Sequence, residues 1–117
     1  MQDFRDLKVW QKAHQLVLRL YQSSRAFPSD ERFGLTSQLR RAAISISANI
    51  AEGAVRSSDT DFARFLHIAL GSASEVDYYL MLARDLSFLT REDYAAADSD
   101  LQEVKRMLAA LVARVKA

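Results

Sequence analysis

The sequence contains no cysteine, one proline and three glycines in 117 residues. The absence of cysteine excludes disulfide bonds, thiolate metal sites and thiol catalysis. Sheets and irregular folds need turn residues at every chain reversal, so this scarcity of glycine and proline favours long helices with short connections. No apolar run approaches the roughly 20 residues that span a bilayer, and the segment MQDFRDLKVW lacks the apolar centre of a signal peptide. We therefore expect a cytoplasmic protein without a membrane segment.

The length fits a single domain that covers residues 1–117. Half of the residues are apolar and 26% are charged, which is typical of globular proteins. Apolar periodicity predicts four helices, over residues 3–24, 35–54, 58–86 and 90–117. Asp3, Ser58 and Thr90 are predicted to cap three of them, and Gly53 to end the second. Four helices with short links predict an all-α, antiparallel up-down-up-down bundle.

The third predicted helix carries two apolar rows. The first row has heptad spacing and consists of Phe62, Leu66, Ala69, Ala73, Val76, Leu80 and Ala83. The second row consists of Phe65, Ile68, Tyr79, Leu82 and Leu86. A monomeric bundle needs one apolar face per helix, so the second row predicts a cyclic homo-oligomer. Gly71 interrupts this helix at a cost of about 1 kcal/mol relative to alanine, which predicts a close helix contact there.

Three segments carry a family resemblance: FRDLKVWQKA, FPSDERFGLTSQLRRAAISISANIAEG and FARFLHIALGSASEVDYYL. They resemble the bacterial four-helix-bundle proteins, also called the 23S ribosomal RNA intervening-sequence protein family. The resemblance covers essentially the whole chain and implies a four-helix bundle that assembles into a homopentameric ring, without an enzymatic role. A related branch of the family comprises the accessory proteins of diversity-generating retroelements. These look like basic pentamers that bind nucleic acid and act together with a reverse transcriptase. This chain departs from that branch in being nearly neutral, with a net charge of +1.

One continuous polar stripe runs along the second predicted helix. Its members, spaced three or four residues apart, are Gln38, Arg41, Ser45, Asn49, Glu52 and Arg56. We expect four of them to form a structural hydrogen-bond network, which would fix the register of the bundle or of a subunit contact. These four are Arg41, Ser45, Asn49 and Glu52. A ligand or nucleic-acid site and plain solvent exposure are the alternatives.

Positive charge is concentrated in the first half of the chain. Residues 1–56 hold nine bases and five acids, whereas residues 57–117 hold seven bases and ten acids. Such asymmetry indicates a binding face or complementary subunit surfaces, and a solvated surface without a binding role is the alternative. The candidate phosphate contacts are Lys8, Lys12, Arg19 and Arg40. The first three are spaced to share one helix face, but no nucleic-acid signature motif accompanies them.

Neither histidine belongs to a di-metal motif, because Gln11 and Arg64, instead of glutamate, stand three residues before His14 and His67. We expect each histidine to be partly buried or to lie at an interface. No catalytic triad, phosphate loop or zinc-ligand spacing is present, so we predict no active site, no metal and no cofactor. The leading hypothesis is a non-enzymatic oligomer that binds RNA or DNA. The alternative is a protein–protein interaction scaffold that binds no nucleic acid, and an enzyme or metal protein is disfavoured.

Overall fold

The computed structural model describes residues 2–116, which form four α-helices and two short 3-10 turns. The helices are α1 (Lys8–Ser24), α2 (Leu35–Ala54), α3 (Asp59–Asp85) and α4 (Arg91–Lys116). The turns cover Phe4–Asp6 and Ser29–Glu31. Each helix packs against two others, so that α1, α2, α3 and α4 occupy successive corners of a square. The described part of the chain measures 43 × 24 × 20 Å.

Side-chain contacts between the helices establish their relative directions. Ser45 meets Ser72, and Gly53 lies against Phe65, so residue numbers rise along α2 as they fall along α3. The same relation holds for Asp77 with Lys105 and Arg84 with Tyr94 between α3 and α4, and for Lys12 with Glu103 and Arg19 with Asp100 between α1 and α4. Neighbouring helices are therefore antiparallel, and the predicted up-down-up-down bundle is confirmed.

One apolar stripe from each helix builds the core. The largest fully buried side chains are Leu16, Leu20, Leu39, Ile46, Ile50, Leu66, Leu80, Leu101, Leu108, Val76 and Val104. Every member of the predicted heptad row of α3 is buried, because that row faces the centre of the square. Burying each large side chain contributes about 1.5–3 kcal/mol. Within residues 2–116, no helix combines the length and the apolar character needed to cross a bilayer.

Two helices begin at the capping residues that the sequence predicts. The Ser58 hydroxyl accepts a hydrogen bond from the backbone N–H of Asp61 at 3.1 Å, and α3 begins at the next residue. The Thr90 hydroxyl accepts from the backbone N–H of Asp93 at 3.0 Å, and α4 begins there. Each contact satisfies an N–H group that lacks a partner within its helix. The predicted starts of α3 and α4 are confirmed.

The first helix begins later than predicted. The carboxylate of Asp3 accepts from the backbone N–H of Arg5 at 3.0 Å, as a capping residue would, but it caps the 3-10 turn Phe4–Asp6. Leu7 then adopts an extended conformation (φ −79°, ψ 123°), which separates the turn from the helix. The α-helix therefore begins at Lys8, later than the predicted start at Asp3.

Two glycines have roles other than those predicted. Gly53 was expected to end α2, but the helix continues through Ala54. A Cβ atom at Gly53 would lie 2.8 Å from the Cβ of Phe65 and 2.9 Å from Cδ1 of Phe62. Gly53 thus allows α2 and α3 to approach closely. The close contact expected at Gly71 is absent within the described subunit, because no atom lies within 4 Å of an added Cβ there.

Candidate functional site

Charge is divided unevenly among the four helices. Together α1 and α2 contain one acid, Glu52, and five bases. The bases are Lys8, Lys12, Arg19, Arg40 and Arg41. By contrast, α3 contains two bases and five acids, and α4 contains five of each. Because α1 and α2 are neighbours in the bundle, positive charge is concentrated in that half of the molecule. Its cations point in different directions, with Lys8, Lys12 and Arg19 beside α4 and Arg40 directed to the end of α1.

Two of the predicted phosphate contacts point toward α4. Nζ of Lys12 lies 3.5 Å from Oε2 of Glu103, and Nε of Arg19 donates to Oδ2 of Asp100 at 2.7 Å. These carboxylates already neutralise the two cations, so a phosphate would have to displace them. Lys8 shares the same side of α1 but forms no ion pair with any residue in the described range 2–116. Lys8 is therefore available to an anion, whereas Lys12 and Arg19 are already paired.

Arg40, the fourth predicted contact, faces α1. Its Nε donates to the Ser24 hydroxyl at 2.9 Å, and its Nη2 donates to the backbone oxygen of Tyr21 at 3.3 Å. The guanidinium carbon also lies 4.4 Å from the centroid of the Tyr21 ring. The C-terminal end of a helix attracts cations, because its last carbonyl groups lack partners. Arg40 thus joins α2 to the end of α1 through neutral groups and keeps its positive charge.

Two of the four predicted network residues meet. The amide nitrogen of Asn49 donates to the backbone oxygen of Ser45 at 2.8 Å and to its hydroxyl at 3.0 Å. The hydroxyl of Ser45 lies 2.8 Å from that of Ser72, a buried residue that joins α3 to this network. Arg41 and Glu52 are exposed and form no hydrogen bond or ion pair within residues 2–116.

Ser72 was not identified as a network residue from the sequence, although a local signal exists. The second apolar row of α3 has a gap between Ile68 and Tyr79. At the spacing of three and four residues, Ser72 falls in that gap and therefore on the side that faces α2. A polar residue at a position of this kind predicts a partner on the facing helix.

A row of aromatic rings lies along α1 and the turn that precedes it. The rings of Trp10 and His14 are stacked, with centroids 5.0 Å apart and an interplanar angle of 7°. Phe4 packs edge-on against Trp10 at 4.9 Å. His14, Leu18 and Tyr21 are exposed, and 58% of Leu18 is accessible to solvent. We call Phe4, Trp10, His14, Leu18 and Tyr21 the aromatic strip.

The outward side of α3 carries exposed apolar side chains. Of the second apolar row, Phe65 is buried and Tyr79 and Leu82 pack against the core of the same subunit, but 43% of Ile68 and 48% of Leu86 remain accessible. Tyr78, two turns after Gly71 on the same side, is 53% exposed. We call Ile68, Gly71 and Tyr78 the outer α3 face. Apolar groups gathered in this way are typical of contact surfaces.

Grooves at one end of the bundle contain cationic and imidazole groups. A groove between the start of α3 and the end of α4 contains Arg64 and His67. Another, between the start of α1 and the end of α4, contains Lys8 and Arg114. In neither groove does a hydrogen bond join a nucleophile to a base among the described residues. No three His, Asp or Glu side chains between residues 2 and 116 are grouped to hold a metal ion.

Comparison with known proteins connects this bundle to a family. The family model for the 23S rRNA-intervening sequence protein matches residues 5–110, which include α1, α2, α3 and most of α4. A protein of unknown function from the S23 ribosomal protein family of Bacteroides thetaiotaomicron has a crystal structure with 30% sequence identity and a TM-score of 0.82. The similarity covers 89% of this chain and 97% of that one. No curated protein sequence matches the chain. The chain therefore belongs to the 23S rRNA-intervening sequence protein family.

Proposed function

We propose that this protein is a non-enzymatic homo-oligomer that binds nucleic acid through the basic half formed by α1 and α2. The observation that carries the proposal is the excess of positive charge on these two adjacent helices, which hold five bases and one acid. Lys12 and Arg19 pair with α4, whereas Lys8 and Arg40 have no carboxylate partner within residues 2–116. Nucleic-acid backbones bind surfaces that gather cations, because each neutralised phosphate releases condensed counterions. Such binding depends on salt and little on sequence.

Phosphate contacts are assigned to the cations that have no carboxylate partner in residues 2–116. Lys8 and Arg25 are exposed at the two ends of α1, and Arg40 keeps its charge beside Tyr21. Lys12 and Arg19 instead stabilise the contact between α1 and α4. Exposed pairs of that kind contribute about 0–1 kcal/mol each.

Assembly involves the outer faces of α2 and α3. A closed ring needs two different, complementary patches on each subunit. The outer α3 face supplies one, and two exposed apolar residues, Ile44 on α2 and Val55 directly after its end, supply the other. These helices occupy adjacent corners of the square, so their outer faces point in different directions, as the two contact patches must in a closed ring such as the pentamer that the family resemblance implies. Arg41 and Glu52 lie beside the α2 patch, where a neighbouring subunit can supply their partners.

Sedimentation velocity tests this assembly. At micromolar concentration the protein should sediment as one species several times heavier than the 13.2 kDa subunit. Tyr78→Glu should dissociate it, because the interface would bury a carboxylate without a partner. Leu18→Glu introduces the same charge on α1, outside both patches, and should leave the assembly intact. A wild-type protein that sediments only as a 13.2 kDa monomer would disprove the assembly.

The salt dependence of binding tests the nucleic-acid interface. We expect Lys8→Gln with Arg25→Gln to weaken binding of single-stranded RNA and to reduce the slope of log K against log salt by about 1.4. Arg91→Gln with Arg106→Gln is the matched control, since both side chains are exposed on α4 and the net charge changes equally. Fluorescence anisotropy with a labelled RNA measures both slopes. Equal reductions in the two variants would contradict a binding surface on α1 and α2.

A protein–protein scaffold is the second candidate, and the ion pairs of Lys12 and Arg19 favour it. They lower the number of free cations on α1, and with it the expected affinity for phosphate. The scaffold predicts that the intact oligomer binds neither single-stranded RNA nor duplex DNA at about 50 mM salt, where electrostatic binding is strong. The same anisotropy experiment therefore separates the two candidates.

A further inference from the structure

We infer that the aromatic strip of α1 stacks on unpaired bases, so that the protein selects single-stranded over duplex nucleic acid; this inference rests on the proposed nucleic-acid binding. Proteins that hold single strands combine a cationic surface with aromatic side chains on which bases stack. Both features occur where α1 meets Arg40 of α2. The proposed function requires only the cations, whereas the strip adds the preference for unpaired bases.

The rings of the strip form two stacking platforms. Trp10 and His14 already form a parallel stack at 5.0 Å, and His14 is exposed at the outer end of that stack. A base that stacks on His14 would extend it. Tyr21 lies two turns further along α1, about 10.5 Å away at 1.5 Å per residue. Its ring, with the Arg40 guanidinium 4.4 Å from the centroid, forms a second platform, since bases stack on guanidinium planes as well as on aromatic rings.

Two cations lie beside the rings. The 17 residues of α1 include three bases and no acid. Lys8, Lys12 and Arg19 lie on the flank of α1 that faces α4, away from the rings. On the side of the rings, Arg40 packs on Tyr21, and the exposed Arg25 follows Tyr21 by four residues. A strand that stacks its bases along the strip can therefore place phosphates near Arg25 and Arg40. A surface that served only to dock an apolar helix would have no need of His14 or of these cations.

Duplex nucleic acid cannot stack on the strip. Bases in a duplex are paired and stacked inside the helix, and extracting one costs a few kcal/mol. Duplex DNA would therefore contact α1 through phosphates alone. Stacking on each ring contributes to the free energy of binding only when the bases are already unpaired. The strip thus favours single strands without recognising their sequence.

The fluorescence of Trp10, the only tryptophan in the chain, reports on the strip directly. The intact oligomer is titrated with a uridine RNA of about 16 nucleotides and with duplex DNA of equal length. This length is about the largest binding site of a single OB fold on a single strand. We expect the RNA to quench Trp10 and to bind about tenfold or more tightly than the duplex at low salt. The duplex should bind without quenching.

His14→Ala removes the exposed platform and should lower the affinity for RNA by about tenfold without changing the affinity for the duplex. His67→Ala is the matched control, since His67 is also exposed but lies on α3. Binding of neither probe would overturn both the proposed function and this inference. Equal binding of both probes, without quenching and without an effect of His14→Ala, would leave nucleic-acid binding standing and overturn the inference. A change in oligomer size in His14→Ala would make the strip a subunit contact, which also overturns it.

Discussion

Replacing Gly53 with alanine is expected to lower the free energy of unfolding by about 1–3 kcal/mol. In an open helix the same change would raise it by about 1 kcal/mol, because alanine is the better helix former. At Gly53 the added Cβ would lie 2.8 Å from the Cβ of Phe65 and 2.9 Å from the ring of Phe62. The Phe62 ring can rotate, but a Cβ atom moves only with its backbone, so α2 and α3 must separate. Urea unfolding measures the loss.

Gly71→Ala is the matched control for this prediction. Gly71 also lies inside a helix, but no atom of the subunit is within 4 Å of an added Cβ there. Both variants are measured in the Tyr78→Glu background, in which the proposed contact of the outer α3 face is lost, and there we expect Gly71→Ala to raise the free energy of unfolding by about 0.5–1 kcal/mol. The free energy of unfolding should therefore fall in Gly53→Ala and rise in Gly71→Ala. A stabilising Gly53→Ala would mean that α2 and α3 are not held at the close distance described.

The sequence predicted the elements of this fold because their signals are local. The heptad row of α3 is visible as spacing alone, and each of its members is buried. The caps at Ser58 and Thr90 depend on a residue three positions later, so the sequence contains both partners. The role of Gly53 could not be predicted in this way, because it depends on where Phe62 and Phe65 of another helix lie.

The same distinction applies to the candidate site. Helical spacing placed Lys12 and Arg19 on one face, and the structure agrees, but the spacing could not show that α4 covers this face. Asp100, which pairs with Arg19, is 81 positions away in the sequence. The stack of Trp10 on His14 joins residues four positions apart, which is a local pattern. The sequence therefore contained a signal for the strip that no motif describes.

Leu66→Ala is expected to lower the free energy of unfolding by about 2–5 kcal/mol, which combines lost burial with the cavity left behind. Leu66 lies in the heptad row of α3 and is fully buried. The free energy of unfolding of native proteins is about 5–15 kcal/mol, so the substitution removes a large part of the total stability. Urea unfolding should show a lower midpoint with an unchanged slope, because the surface exposed on unfolding stays nearly the same.

Leu18→Ala deletes the same atoms from a side chain that is 58% exposed, and its effect on stability should stay within about 0.5 kcal/mol. The two leucines also separate stability from binding. Because Leu66 faces the core and Leu18 belongs to the aromatic strip, Leu66→Ala should leave the RNA affinity of the folded protein unchanged, whereas Leu18→Ala should lower it. Equal losses of stability in the two variants would contradict the packing described, since a core position and a surface position cannot lose the same burial.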